Sequence, residues 1–398
     1  MNGPGLAPLD RTQPLRHELC QTLIWQFGFE GRGCKVGVLD TGVDVDWVRE
    51  HCPTFGHGTI EAHDCTPGHE GPVDESPEHH GSRIVADVFQ LAPEAEVHSL
   101  RVYGREHNAT REELVAALEW CARAGMHVVN LSTSFYGDDC TFENPCVLCR
   151  AINTFTLGAG VFHVIVGGDA YTLNELAAKT GSAPALCPAL NSPLAWAVES
   201  ADVVGDRKRV LEQSLKSGGG LSFTTAKFSG GAALLRSLGQ DALSTHMVLR
   251  RTCIPLPAPQ RALGLGRHCF LLAFLCLQGL SAGFVEDAPP VPIASLDAPS
   301  PQKKGGYDGG ISAVLAWTVA RRVFRNEWDD AVKMTDAVAS VAAPWAAGQD
   351  LALIEHVRAS CMEAVGDARA EASYARATSL MGFAPATGAP PQPDAAGT

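Results

Sequence analysis

Three residues that lie far apart in the chain have the side-chain types that activate a serine hydroxyl for acyl transfer. Asp40 stands in CKVGVLDTGVD, His80 in HHGSRIVAD, and Ser222 in GLSFTTAKFSGGAALL. A serine hydroxyl is a weak nucleophile until a base takes its proton, and an imidazole oriented by a carboxylate supplies that base. These residues therefore predict a triad in which Ser222 attacks, His80 transfers the proton and Asp40 holds the imidazole.

The three strings resemble the motifs of the subtilisin-like serine peptidases (subtilases, peptidase S8), which read roughly V-x-V-L-D-T-G, H-G-T-H-V-A and G-T-S-x-A-x-P. The likeness runs from about Trp25 to about Gly239. The chain departs from the family pattern at Ser82, Arg83, Leu221 and Ala226, where the family has threonine, histidine, threonine and proline. None of these changes removes an atom of the predicted triad, so the chain is identified as a divergent member of this family.

A second histidine competes for the role of the base. His57 begins the string H-G-T and lies closer to Asp40 in the sequence than His80 does. The residues after His57 have no helical apolar face and meet Pro67, whereas His80 leads directly into the apolar pattern of Ile84 and its neighbours. His80 is therefore the preferred base, and its alternative is a surface histidine in a His-rich loop.

The resemblance also assigns residues around the nucleophile. Asp169 follows the strand VIVGG at the position of the asparagine that completes the family's oxyanion hole. An ionised carboxylate donates no hydrogen bond, and the loss of such a donor in subtilisin costs about 10²–10³ in rate. Either Asp169 is held protonated, or catalysis is weak. Ser132, Thr133 and Ser134 match the strand that pairs with substrate, and Ser134 in place of glycine predicts a pocket for small or medium side chains.

Two functions follow from the resemblance. The first is a serine endopeptidase that cleaves peptide or protein substrates through an acyl-enzyme on Ser222. The alternative is a weak or inactive pseudoprotease that holds extended peptides without cutting them, which Asp169, Leu221 and Ala226 favour. An unrelated α/β hydrolase is disfavoured, because that class has its serine in G-x-S-x-G before the acid and the histidine.

Hydrophobic periodicity indicates the elements that must position these residues. Strands are expected at 34–40, 95–103, 127–132, 161–166 and 193–198, and helices at 82–91, 110–125 and 222–238. Strands that alternate with helices predict an α/β fold with three layers, in which helices cover both faces of a mostly parallel sheet. Reactive groups gather at the carboxyl ends of such strands and at helix N-termini, and Asp40 and Ser222 fall there.

The chain is expected to divide into several regions. These are an N-terminal extension at 1–24, the peptidase domain at 25–245, a basic, apolar and Pro-rich linker at 246–305, a smaller helical region at 306–382 and a disordered tail at 383–398. The apolar run at 269–285 has 17 residues, which is short for a bilayer span of roughly 20. It is interpreted as a buried helix, a signal-like segment or a membrane anchor, so membrane association stays open.

Composition limits the partners and cofactors. A formal net charge of -13 disfavours nucleic acid and anionic lipid, which bind clustered Lys and Arg. The chain has 13 cysteines, an odd number that does not indicate a secreted disulfide framework, and the C-x-x-C pair Cys146 and Cys149 lacks the second pair of a complete zinc site. No metal or other cofactor is assigned; the resemblance implies calcium, but no acidic loop matches it. The N-terminus shows no secretory signal, which favours an intracellular protein.

Overall fold

The structure is a computed structural model, which divides into two compact units. It describes residues 16–68, 71–104, 108–132, 135–136, 140–141, 143–166, 186–187, 192, 194–198, 221–255, 268–284, 287–290, 292–296, 310–346 and 348–382. One unit runs from Ile24 to Arg250, and the second comprises the described residues up to Leu23 and from Arg251 onwards.

The unit from Ile24 to Arg250 contains a six-stranded sheet in which all strands run parallel. Its strands are β1 (Lys35–Asp40), β2 (Thr59–Asp64), β3 (Glu96–Arg101), β4 (Val128–Leu131), β6 (Phe162–Val166) and β8 (Ala195–Val198). Their spatial order is β2-β3-β1-β4-β6-β8. Two short strands, β5 (Phe135–Tyr136) and β7 (Leu186–Cys187), form a separate antiparallel pair. Asp40 is thus the last residue of a central strand.

The helices of this unit are α2 (Val45–His51), α3 (His80–Leu91), α4 (Arg111–Arg123), α5 (Val147–Ala159), α6 (Leu221–Arg236) and α7 (Ala242–Arg251). Helix α1 (Arg16–Trp25) precedes the first strand and belongs to the second unit up to Leu23. The capping box predicted for α4 is present, because the Thr110 side chain accepts from the Glu113 N–H and the Glu113 carboxylate accepts from the Thr110 N–H. This reciprocal pair satisfies two N–H groups that the first helical turn leaves without partners.

The two faces of the sheet carry different helices. Leu39 of β1 and Leu131 of β4 pack in one buried cluster with Leu118 of α4 and Ile152 of α5. Successive side chains of a strand point to opposite faces, so Asn130 faces the other way, where its amide oxygen accepts from Ser229 of α6. The chain therefore has the three-layer α/β fold with a parallel sheet that the sequence predicts.

Helices α3 and α6 cross at very short range because of Gly230. A Cβ at this position would lie 2.7 Å from the carbonyl oxygen of Val88 and 3.0 Å from the Cβ of Leu91. No larger residue fits unless the helices move apart. Since His80 begins α3 and Ser222 lies in the first turn of α6, this crossing determines how the two residues are placed relative to each other.

The second unit is helical beyond Arg251, as the sequence predicts. It contains α8 (Phe270–Ser281), α9 (Ile311–Thr318) with a π-helical turn at Val319–Val323, α10 (Trp328–Ala342), α11 (Gln349–Val365) and α12 (Ala370–Leu380). The apolar run that begins at Cys269 forms α8, a helix of 12 residues that is buried from Phe270 to Leu277. Among the helices described, none has both the length and the apolar character that a membrane crossing requires.

The helix crossing leads to a stability prediction. We expect Gly230→Ala to lower the free energy of unfolding by about 1–3 kcal/mol, because the added methyl group is forced against the α3 backbone. Urea denaturation measures this change.

The matched control for this variant is Gly158→Ala in α5, where an added Cβ meets no atom within 4 Å. Alanine has the higher helix propensity, so this variant is expected to keep or raise stability by about 0.5–1 kcal/mol. Equal effects of the two substitutions would contradict the tight crossing.

Candidate active site

Asp40 is buried at the carboxyl end of β1, with 2% of its surface exposed. Its Oδ1 accepts the backbone N–H of Thr41 at 2.8 Å and lies 2.7 Å from Nδ1 of His80. A buried carboxylate is costly unless hydrogen bonds and a partner charge compensate for lost hydration. Here the next residue of the chain and the imidazole supply that compensation.

His80 is the first residue of α3, and its imidazole faces Asp40. Because a carboxylate can only accept, the 2.7 Å contact requires Nδ1 of His80 to carry the proton and donate it. The neutral ring then has its lone pair on Nε2, the atom that can act as a base. His57, the competing histidine, is exposed in the turn before β2. The described geometry therefore joins Asp40 to His80, which is the preference derived from the sequence.

Tertiary contacts cap the N-terminus of α3. His79, the N-cap residue, has the left-handed backbone angle φ 49 and makes no side-chain capping bond. The backbone N–H groups of the next three residues donate to side chains from elsewhere in the chain. That of His80 donates to Ser76 Oγ and that of Ser82 to Asp74 Oδ2, both at 2.9 Å. That of Gly81 donates at 2.9 Å to Oγ1 of Thr41, the residue directly after β1. These bonds satisfy N–H groups that a helix start leaves without partners, and they hold His80 beside Asp40.

Asp74 is the centre of this cap, and sequence reasoning missed it. The carboxylate is buried, with 3% exposed, and accepts from the hydroxyls of Ser76 at 2.7 Å, Ser82 at 2.8 Å and Thr41 at 3.0 Å. The available signal was the D-x-S spacing of Asp74 and Ser76 just before a helix, a pattern that favours local capping turns. The contacts to Thr41 and Ser82 depend on the folded chain and carry no local signal.

The environment raises the pKa of His80 above its ordinary value. Burial is the largest single influence and acts to lower this pKa, but the hydrogen bond and charge of Asp40, together with the charge of Asp74, outweigh it. Arg83 acts weakly in the lowering direction. His80 thus binds a proton more tightly in the folded chain than in the unfolded one. This linkage adds stability at acid pH, which is lost as pH rises through the folded pKa.

Ser222 is placed in the first turn of α6, next to the end of β4. Its hydroxyl donates to the carbonyl of Ser132 at 3.4 Å, and the hydroxyl of Ser132 donates to the carbonyl of Ser222 at 3.3 Å. The ring of the next residue, Phe223, lies 5.4 Å from the His80 ring, centroid to centroid. The three predicted residues therefore lie at one edge of the sheet, and within the described chain Ser222 is bonded to Ser132 and not to His80.

A buried polar chain connects α6 to this edge. Ser229 Oγ donates to Asn130 Oδ1 at 3.0 Å, and Asn130 Nδ2 donates to Ser132 Oγ at 2.8 Å. Asn130 and Ser229 are fully buried, so these bonds form away from competing water. These bonds connect α6 to the end of β4 and fix the position of Ser222 relative to that strand.

Phe223 also joins the two helix starts through Arg83. The guanidinium carbon of Arg83 lies 4.2 Å from the centroid of the Phe223 ring, a cation–π contact. Arg83 occupies the position where the resembled family has a second histidine. In this chain the departure provides a bridge between α3 and α6 beside the predicted base and nucleophile.

Several predicted residues lie outside the described part of the chain. Asp169, at the predicted oxyanion position, is among them, and so are Thr133 and Ser134 of the predicted substrate strand. Ser132 is described, and it contacts Ser222 through both its hydroxyl and its carbonyl. The oxyanion and pocket assignments stay predictions.

The sequence model of the subtilase family matches residues 31–205, a range that includes Asp40 and His80 and ends before Ser222. Over this range the chain is similar to the subtilase family. This match confirms the resemblance read from the motifs. The matched range and the described edge of the sheet share Asp40 and His80, the predicted acid and base.

Curated relatives are similar over part of their length. Subtilisin BL of Lederbergia lenta is 28% identical over 151 residues, which is 36% of this chain and 50% of that protein. The minor extracellular protease Vpr of Bacillus subtilis (strain 168) is 29% identical over 156 residues, 36% of this chain and 19% of that protein. The chain thus spans half or less of the length of these relatives.

Among solved structures, a lanthipeptide protease superimposes with a TM-score of 0.48 at 16% identity, covering 66% of this chain and 95% of that one.

Calcium, which the resemblance implies, is not matched by the clusters of His, Cys, Asp and Glu side chains found in the described residues between Ile24 and Arg250. Two groups in this unit bring metal-ligating atoms together: the thiols of Cys140, Cys146 and Cys149, and the side chains of Glu61, His63 and His98. Calcium prefers six to eight oxygen ligands, which neither group offers. The sulfur of Cys140 lies 3.7 Å from the sulfur of Cys149, which belongs to the C-x-x-C pair.

The cap of α3 leads to a prediction for Asp74. Asp74→Asn keeps the shape of the side chain but replaces one carboxylate oxygen with an amide NH₂ group. This group cannot accept the hydroxyl and N–H donors that now bond to that oxygen. We expect a loss of about 1–3 kcal/mol in the free energy of unfolding, because buried donors lose their acceptor. The pKa of His80 should also fall, since the Asp74 charge raises it.

The control for this prediction is Asp46→Asn, which changes a carboxylate that is 92% exposed. Chemical denaturation and histidine titration of both variants test the prediction. An Asp74 variant as stable as the Asp46 variant, with an unchanged His80 pKa, would show that the buried carboxylate does not support the base.

Proposed function

We propose that the chain is a serine endopeptidase in which Asp40, His80 and Ser222 act as a catalytic triad. The observation that carries this proposal is the 2.7 Å hydrogen bond from His80 Nδ1 to the buried Asp40, at the same sheet edge as Ser222. The match of residues 31–205 to the subtilase family supports peptide bonds as the substrate. Peptide or protein substrates are therefore the expected partners.

The proposed reaction divides peptide hydrolysis into two steps. Ser222 Oγ attacks the carbonyl carbon while His80 Nε2 takes the hydroxyl proton, and Asp40 stabilises the imidazolium that forms. His80 then gives this proton to the leaving amine, which leaves an acyl group on Ser222. Water, deprotonated by His80, hydrolyses the ester and restores the serine.

For this reaction the Ser222 hydroxyl must exchange its present acceptor for His80. A rotation about one side-chain bond moves the hydroxyl away from the Ser132 carbonyl, a contact of 3.4 Å that is long for a hydroxyl donor. Catalytic hydrogen bonds are often long before substrate binds and shorten in the complex. The placement of Ser222 in the first turn of α6 also directs helix N–H groups toward a developing oxyanion.

A second candidate function is a pseudoprotease that binds extended peptides without cutting them. The bond between Ser222 and Ser132 favours it, because a nucleophile held by a carbonyl is not activated. The predicted oxyanion residue Asp169 also favours it, since an ionised carboxylate would repel the negative charge of the intermediate. The two candidates differ in whether Ser222 reacts with an electrophile.

Labelling by a fluorophosphonate probe distinguishes the two candidates. The endopeptidase predicts that the full chain is covalently labelled on Ser222, because the probe reacts with a serine activated by a base. Labelling should be lost in Ser222→Ala and reduced by about 10³-fold or more in His80→Ala, since triad members act as a unit. Mass spectrometry of the labelled peptide identifies the serine.

The matched control is Ser237→Ala, which removes a hydroxyl just beyond the opposite end of α6, where it donates to the Leu234 carbonyl at 2.7 Å. This variant should label like the parent chain. If the parent chain and Ser222→Ala are labelled equally, the triad is wrong. Saturable peptide binding without labelling would establish the pseudoprotease instead.

A further inference from the structure

The helical unit contains a buried group of two thiols and one imidazole that the proposed peptidase chemistry does not use. Cys20 lies on α1, Cys269 is the N-cap residue of α8, and His356 lies on α11. All three residues belong to the same compact unit. Their exposed fractions are 3%, 2% and 0%, so they meet in its interior.

We propose that Cys20, Cys269 and His356 bind a zinc ion. The potential ligand atoms, two Sγ and one imidazole nitrogen, all lie within 4.8 Å of one another. Thiolate and imidazole are the ligands that zinc takes in structural sites. The three residues are separated by more than 80 positions along the chain, so no motif spacing indicates this site in the sequence.

Two of the three distances match the edges of a tetrahedron around zinc, and the third is shorter. With zinc–sulfur bonds of about 2.3 Å, two sulfurs of a tetrahedral site lie about 3.8 Å apart, and a sulfur and a nitrogen lie about 3.6 Å apart. Here the two sulfurs are 3.7 Å apart, and His356 Nε2 lies 3.1 Å from Cys20 and 3.7 Å from Cys269. A disulfide is a poorer fit, because its sulfurs must approach to about 2.05 Å.

The fourth ligand position is near Ser360. This residue is one helical turn after His356 on α11, and its hydroxyl lies 3.8 Å from Cys269 Sγ. The hydroxyl is also within 3.0 Å of the Tyr374 hydroxyl, which donates to Glu363 at 2.8 Å. Either Ser360 or a water bound beside it would complete four ligands. The Tyr374 ring, 5.3 Å from the His356 ring, also fixes how the imidazole is turned.

The charge of the ion suits this interior. Zinc with two thiolates and a neutral imidazole forms a group of zero net charge, which costs far less to bury than an isolated ion. The thiolates form as the metal binds, and two protons are released. With zinc on Nε2, His356 carries its proton on Nδ1, a buried atom without a hydrogen-bond partner in the described residues. A buried water would satisfy this donor.

The site would link three distant segments of the helical unit. One zinc ion would connect α1, the start of α8 and α11. Metal binding to the folded state adds to its stability in proportion to the logarithm of free metal over the dissociation constant. This role does not depend on the proposed peptidase activity.

Metal analysis of the full chain tests the site. The chain is purified after growth with zinc, freed of loosely bound metal by a weak chelator, and analysed by mass spectrometry for zinc per chain. The double variant Cys146→Ala, Cys149→Ala removes the other thiol group, and in this background we expect one zinc per chain. Further substitution of Cys269 or Cys20 by alanine should remove that zinc.

The control substitution is Cys276→Ala. Cys276 is buried on α8, the helix that Cys269 caps, but it is not one of the three proposed ligands. This variant should keep the zinc. Cobalt binding gives a second readout that leaves Cys20, Cys269 and His356 unsubstituted. Cobalt is added to the metal-free double variant of Cys146 and Cys149. A thiolate-to-cobalt absorption band and tetrahedral visible bands are expected, together with a higher Tm in zinc than in strong chelator.

Two results would overturn the proposal. One is a double variant of Cys146 and Cys149 that binds no zinc and gives no thiolate–cobalt band. The other is a zinc content that stays the same when Cys20 or Cys269 is replaced. In either case the three residues form a hydrogen-bonded group of thiols and imidazole without a metal.

Discussion

The hydrogen bond between the buried Asp40 and His80 is the interaction on which the rest of the candidate active site depends. A carboxylate at the carboxyl end of a central strand loses its hydration, so hydrogen-bond donors must compensate it. The Thr41 N–H and Nδ1–H of His80 are such donors, and the bond from His80 fixes the tautomer that leaves Nε2 able to accept a proton. The position of α3 is therefore an electrostatic requirement as well as a packing one.

Two further devices keep this pair in register with the serine. Asp74 gathers the hydroxyls and N–H groups at the start of α3, and the absent side chain of Gly230 allows α6 to approach that helix. The buried bonds of Asn130 then set the level of α6 along β4. A substitution far from the serine can thus alter the chemistry through the geometry of two helices.

The sequence predicted the features that local patterns encode. The apolar run before Asp40, the capping box at Thr110 and the apolar face of α3 each specify structure within about ten residues. The edge strand β2 was not predicted, because its exposed and half-buried residues lack the apolar alternation of a covered strand. The contacts of Asp74 with Thr41, and of Cys20 with Cys269 and His356, were missed because these partners lie far apart in the sequence.

Proton NMR of the full chain, with nitrogen-15 in its histidines, measures the central interaction directly. We expect a strongly downfield Nδ1–H signal that disappears in His80→Ala, and a His80 pKa above the ordinary value of about 6.5 that falls in Asp40→Asn. A His80 that titrates at its ordinary pKa, without a downfield proton and without a change in Asp40→Asn, would contradict this expectation.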